Sequence, residues 1–269
     1  MFFLVLAAGS ASAQITTGTV GVIYYTNDKI IMAADSRGTS SDGTRTDAEC
    51  KIAALGNDMI FVSTGVGGYD SGDPRSPTRS WRNADEAHRV YDRLSAGGRH
   101  PSVAEVASEW SNIIVRNETF LYERIPQQVL DAATDGVLTE AMFGSTADDG
   151  SLTLISTDIV VHAGGSPPVT AEIGMELPPG SVGVIGKKDI FSEFFQATSE
   201  RAKAEAARWE VESASFPPED SELFRMIRLI DLTITYDQSG EVGGPIDALE
   251  LEHGKGIRWR QRKAICPGK

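Results

Sequence analysis

The sequence predicts an α+β protein of four layers, an αββα sandwich in which two antiparallel sheets stack and helices cover both outer faces. Two observations carry this. Segments of strand and helix character come in blocks: strands, two helices, strands, two helices, and strands again. Such an order stacks sheets between helical layers. Residues 30–34, Ile-Ile-Met-Ala-Ala, are apolar without a break, as in a strand covered on both faces. The 269 residues carry no repeat or low-complexity linker, and their length suits a single large domain.

Taken in order, residues 2–8 form a short apolar run, followed by Ala11-Ser12-Ala13 with small residues at the −3 and −1 positions of a signal-peptidase site. Residues 1–13 therefore read as a signal peptide, although no Lys or Arg precedes the run. The run is too short for a permanent membrane span. Residues 20–25 and 30–34 form a hairpin about the turn Thr26-Asn27-Asp28-Lys29. After a polar stretch, residues 51–55 and 59–64 form two more strands about Gly56-Asn57-Asp58. The Gly- and Ser-rich residues 65–77 read as a loop. Asn83 is placed to cap a helix running to about residue 96, with Ala87, Val90, Tyr91 and Leu94 on one face. Ser102 caps a second, with Val103, Val106, Ala107, Trp110, Ile113 and Ile114 at helical spacing. These stripes are core-facing surfaces rather than a cofactor box. Strands follow at 138–144, 151–161 and 181–185, then one long helix at 190–211. Pro217-Pro218 ends it, and Pro218 suits the first turn of a segment carrying Leu223, Ile227 and Ile230. Two closing strands flank His253-Gly254-Lys255-Gly256.

The formal net charge is −13, a surface that repels nucleic acid and anionic lipid, so neither is expected as a partner. Arg258, Arg260, Arg262 and Lys263 cluster late but read as a solvated terminal strand. The four histidines lie far apart with no metal-ligand spacing, and neither a metal nor another cofactor is expected. Cys50 and Cys266 either close one long loop in an oxidising compartment or remain two thiols.

The chemistry concentrates in Asp35-Ser36-Arg37-Gly38-Thr39, with Lys51 sixteen residues after Asp35 and Gly65 fourteen after Lys51. A threonine-rich run, residues 16–22, leads into it. Singly, an Asp–Lys pair is more often a structural ion pair, and a Thr/Val-rich run is usually only a strand. Together and in order, they suit a threonine whose hydroxyl attacks a carbonyl while its own freed α-amine takes the proton.

At these residues the chain resembles a proteasome β-type subunit of the N-terminal-nucleophile hydrolase superfamily. Asp35, Arg37 and Thr39 match its Asp-Ser-Arg-x-Thr setting, Lys51 its lysine, and Thr64-Gly65-Val66-Gly67 its oxyanion turn. Carried back at the same spacing, the resemblance puts the nucleophile at Thr19, after Gly18, with 14–18 a short propeptide and 19–269 the mature domain. Thr17 is the alternative, if the first hairpin is two residues longer, and Thr16 a third. The resemblance implies that Lys51 lowers the pKa of amine and hydroxyl, that Asp35 orients Lys51, and that the Gly65 N–H faces the oxyanion. It also implies that Thr39 and Gly67 line the bound peptide. Later the chain departs from the family. Lys187, in Ile185-Gly186-Lys187-Lys188, stands where a serine supports the threonine amine. The supporting Asp237 and Ser239 keep only part of an Asp-x-x-Ser-Gly-Gly motif, with Gly243-Gly244 displaced.

The expected protein is thus an exported, self-cleaving threonine hydrolase of peptide or small amide bonds, self-associating through its helical faces and, once the leader is cut, free of the membrane. The rivals are a non-catalytic scaffold of the same fold and a hydrolase of a non-peptide amide.

Overall fold

A computed structural model describes residues 14–18, 20–71, 80–147, 149–264 and 266. The expectations at residues 1–13, at Thr19 and over much of the 65–77 loop fall outside these. Fourteen strands are described: β1 (Gln14–Gly18), β2 (Val20–Tyr25), β3 (Lys29–Ala34), β4 (Gly38–Ser40), β5 (Arg45–Thr46), β6 (Ile52–Leu55), β7 (Met59–Asp70), β8 (Trp81–Arg82), β9 (Val137–Thr146), β10 (Leu152–Val161), β11 (Val169–Glu176), β12 (Val182–Gly186), β13 (Asp247–Glu252) and β14 (Gly256–Gln261). Six helices accompany them: α1 (Asn83–Leu94), α2 (Val103–Arg124), α3 (Pro126–Ala132), α4 (Lys188–Phe195), α5 (Glu200–Ser213) and α6 (Ser221–Tyr236).

The strands form two antiparallel sheets. One runs β11-β10-β9-β7-β1-β4-β5, with β6 and β8 also paired to β7, and the other runs β12-β2-β3-β13-β14. Strand alternation divides the core into three apolar clusters. Ile23, Ile30 and Met32 from one sheet meet Ile52, Ile60 and Val62 from the other. Phe61, Phe143 and Ile159 turn the other way, onto Ala87, Val90, Trp110 and Ile114 of α1 and α2. Val20, Val22, Ile31 and Ala33 pack on Phe191, Met226 and Ile230 of α4 and α6. The α+β class with two antiparallel sheets therefore stands, in an arrangement compatible with a sandwich. Residues 30–34 are apolar throughout because odd and even positions enter different clusters.

Several local expectations need correction. The 65–77 segment does not begin as a loop: β7 continues through Gly65 to Asp70, paired with β1. Its glycines permit close approach, since a Cβ at Gly68 would lie 2.4 Å from the Trp81 carbonyl oxygen. Asn83 is not a helix cap. Arg82 holds that position, and the Asn83 amide turns inward. The helix expected at 190–211 is two, because Ala197 takes a left-handed conformation (φ 49°) and Ser199 caps a new start by accepting from the Ala202 N–H. The sequence reading missed α3 and β11. Ile125 precedes Pro126, which disfavours helical backbone at Ile125 and separates α2 from α3. Ser102 does cap α2, with Glu105 completing a capping box.

The structure joins Cys50 to Cys266 in a disulfide. The late basic residues are paired: Arg258 with Glu250, Arg260 with Asp220, and Lys263 with Asp247.

Candidate active site

The site assembles where the end of β3, the start of β6 and the middle of β7 meet β1. Lys51 Nζ donates to Asp35 Oδ1 at 2.5 Å, and both side chains are buried. Asp35 is fixed from three further directions. Its Oδ1 accepts from the Val20 N–H at 3.1 Å, and its Oδ2 accepts from the N–H groups of Arg37 (3.2 Å) and Gly243 (3.0 Å). Burial pushes the Lys51 pKa down, and the Asp35 carboxylate opposes it without cancelling it.

β1 lies between β4 and β7. Thr17 pairs with Thr39 on one side and Val66 on the other, and Gly18 pairs with Gly38 and Gly65. The Gly18 peptide, whose carbonyl belongs to the bond before Thr19, therefore faces Gly65 across the ladder. A Cβ added to Gly18 would lie 2.9 Å from Lys51 Cε and 3.5 Å from its Nζ. The last residue of β1 is thus in contact with the lysine. Gly67 is the extra residue of a bulge, since Thr16 pairs with Gly68 and Thr17 with Val66.

Gly65 needs to be glycine. Its φ is +79°, and a Cβ there would lie 2.1 Å from the Leu138 carbonyl oxygen. The next carbonyl, that of Val66, is held by two side chains: Asn83 Nδ2 donates to it at 2.9 Å and Thr139 Oγ1 at 3.0 Å. Thr139 Oγ1 also lies 2.6 Å from Glu118 Oε1. Burial raises the Glu118 pKa to about 8, with the Thr139 contact acting against it. A protonated Glu118 explains both contacts of Thr139: the acid donates to the hydroxyl, and the hydroxyl's one hydrogen goes to Val66.

Side chains of β1 alternate between two clefts. Thr16 and Gly18 line one, a narrow cleft, with Glu49, Lys51, Ser63, Thr64 and Asn83. Ile15 and Thr17 line the other, which is roomier, with Thr39, Ser41, Gln128 and Asp131 of α3. Thr17, whose Oγ1 donates to the Thr39 carbonyl at 3.2 Å, therefore opens onto a different cleft from Lys51. Among the described residues, Thr39 Oγ1, Thr64 Oγ1 and Asn83 Oδ1 are buried without a hydrogen-bond partner. All three belong to residues lining these clefts. Unsatisfied buried oxygens of this kind suit a polar ligand or ordered water.

A second charged group stands beside the first. Lys187 Nζ reaches Asp237 Oδ1 (2.9 Å), Ser239 Oγ (2.6 Å) and Glu241 Oε2 (3.0 Å). The supporting residues Asp237 and Ser239 thus gather on the lysine that stands where a serine was expected. Gly186, the residue before it, pairs with Val20 and donates its N–H to Glu140 Oε2 at 2.6 Å.

Of the residues the sequence singled out, Asp35, Lys51, Gly65 and Gly67 come together with Gly18. Thr39 forms the opposite wall of the strand slot, and Thr19 lies outside the described residues. The sequence reading missed Glu118, Thr139 and Glu140, and it gave Asn83 a local role. Asn83 of α1 meets Thr139 of β9 at the Val66 carbonyl, Glu118 of α2 meets Thr139, and Glu140 of β9 meets Gly186 of β12, only in the fold. The one available signal was Glu118 as the charged residue on the buried face of α2. No family model matches this chain, and no curated protein matches it.

Proposed function

We propose that this chain is a threonine-type amidohydrolase of the N-terminal-nucleophile, proteasome β-like kind, exported and matured by scission of its own Gly18–Thr19 bond. One observation carries the reading. The peptide before Thr19 faces Gly65 in the ladder and touches a buried Lys51–Asp35 pair. A carbonyl at that place has a cationic side chain beside it and a glycine N–H opposite, as an acyl-transfer site requires.

In the proposed cycle the Thr19 hydroxyl attacks a carbonyl carbon and the α-amine takes its proton. Lys51 biases both groups toward reaction by its charge, and Asp35 fixes Lys51. The Gly65 N–H receives the developing oxyanion, a contribution of about 3 kcal/mol when well placed. Collapse expels the amine, which leaves with the proton, and water then hydrolyses the ester on Thr19. The substrate is an extended peptide or a small amide. In the unprocessed chain residues 14–18 fill the slot between β4 and β7 as such a peptide would, with main-chain pairing along both edges. Thr19 is preferred over Thr17, which opens onto the cleft away from Lys51. The disulfide is compatible with an exported protein.

One observation favours the second reading, a non-catalytic scaffold. β1 is paired on both sides, and its Ile15 is buried in the core, so an uncleaved chain is also a complete fold. Intact mass of the purified protein separates the two. A mature chain starting at Thr19, lost in Thr19→Ala, is the expected outcome. A chain that keeps residues 14–18 and turns over neither fluorogenic peptides nor small amides overturns the hydrolase.

A further inference from the structure

Two lysine–aspartate pairs stand at the same end of the second sheet, and one short stretch of backbone links them. Lys51 is bound to Asp35, and Lys187 is bound to Asp237. Val242 N–H donates to Asp237 Oδ2 at 2.9 Å, and its neighbour Gly243 N–H donates to Asp35 Oδ2 at 3.0 Å. Consecutive amides therefore hold the two carboxylates. Asp237 closes the C-terminus of α6, is almost wholly buried, and also accepts from the N–H and Oγ of Ser239. Burial alone would raise its pKa. The Lys187 bond, the Val242 amide and Ser239 outweigh burial and hold it well below the usual carboxylate range.

Resting on the threonine-hydrolase reading above, we propose that Lys187 is a positioning residue of the active site. It fixes Asp237, which fixes the Val242–Gly243 amides, which orient Asp35 and through it Lys51. Arg37 and Arg45 also touch this loop, but at the carbonyls of Gly240 and Ser239. Lys187 alone among these cations meets the carboxylate that takes the Val242 amide. Its charge acts as well as its bonds. It offsets Asp237 and Glu241 next to the strand end where Gly186 pairs with Val20. The other charged groups near this end are Asp35, Glu49 and Lys263 around Lys51, Glu140 and Lys188 around Gly186, Arg37 beside Gly243, and Asp47 paired to Arg37 and packed on Gly244.

The test compares parent, Lys187→Met and Lys187→Arg. With Lys187→Met, two carboxylates are left uncompensated, which favours the protonated amine. The ascending limb of the kcat/KM–pH profile should then move to higher pH, and kcat at neutral pH should fall about tenfold or more with KM little changed. Lys187→Arg, which keeps charge and donors, should recover most of both. Amide exchange of Val242 and Gly243 should quicken in Lys187→Met and not in Lys187→Arg. An active parent whose Lys187→Met variant keeps its profile and kcat, or unchanged exchange at Gly243, overturns the proposal and leaves the hydrolase standing. A parent with no Thr19 terminus and no turnover overturns the hydrolase and this role together, and the exchange result then describes only a structural clamp.

Discussion

A Cβ added at Gly18 would lie 2.9 Å from Lys51 Cε, and Lys51 has little freedom to withdraw because its ammonium is buried on Asp35. Gly18→Ala is therefore expected to displace either the peptide before Thr19 or the lysine. Self-cleavage should slow about tenfold or more, since an ångström of misplacement costs rate steeply. The precursor's half-life, followed by intact mass, checks it. Equal maturation of variant and parent would mean that Lys51 does not crowd the reacting peptide. Glu118 gives a second expectation. Its pKa is about 8 in the fold against an ordinary 4.5, because burial disfavours the carboxylate. The native state thus keeps a proton that the unfolded chain releases, so this group's contribution favours folding least at high pH. Its effect is absent below about pH 4.5 and grows until about pH 8. Glu118→Gln, which keeps the shape and a donor toward Thr139, should match the parent near pH 4. Near pH 9 it should exceed the parent by up to about 5 kcal/mol in denaturant titration. A constant difference between the two pH values would mean that Glu118 is ionised in the fold. That Asp35, Lys51 and Gly65 come together was legible in the sequence because their spacing runs along neighbouring strands. The meeting of Glu118, Thr139 and Asn83 was not. Asn83 and Thr139 meet at the Val66 carbonyl and Glu118 stands behind Thr139, so α1, α2, β7 and β9 must pack before the cluster exists.

At the scale of elements, β1 has an unusual position for a stretch expected to leave. It lies inside the larger sheet, with Ile15 buried against the α1–α2 layer. Removing a buried isoleucine side chain costs about 2–4 kcal/mol. Ile15→Ala in a Thr19→Ala background, which retains β1, should lose stability by that amount. In the matured protein, where β1 is no longer part of the chain, the same change should have no effect on unfolding. Destabilisation of both forms alike would show that residues 14–18 are never released. Elements with one clear signature were legible in advance. Ser102 wrote the start of α2, and the unbroken apolar run at residues 30–34 wrote β3. The continuation of β7 past Gly65 was hidden because glycine there serves close approach, as at Gly68 against Trp81, and only the packed partner reveals it. α3 was hidden because Pro126 reads as a stop and is in fact the first residue of a new helix.

At the scale of the whole molecule, the C-terminal segment is tied to the stretch before Lys51, beside the candidate site. Cys50, the residue before Lys51, is bonded to Cys266, 216 residues away. Lys263, three residues before Cys266, is buried and reaches Asp247, Ser36 and the Glu49 carbonyl. The C-terminal segment therefore braces the stretch between Asp35 and Lys51 by one covalent bond and one buried cation. In the chain-entropy account, a loop of this length restricts the unfolded ensemble by on the order of 5 kcal/mol, and losing it lowers the stability of the fold by up to that amount. The double variant Cys50→Ser, Cys266→Ser should melt well below the parent in a thermal scan, and adding a thiol reductant should lower the parent toward the variant and leave the variant unmoved. The consequence for the site is more specific than for stability. The Lys263 contacts are made by side-chain and backbone groups separate from the disulfide, so Lys51 should stay seated on Asp35 at temperatures where the variant remains folded. Maturation and turnover there should change by less than about threefold, because the covalent tie acts mainly on the unfolded chain. A large loss of turnover in folded variant would instead make the Cys50–Cys266 bond part of what positions Lys51.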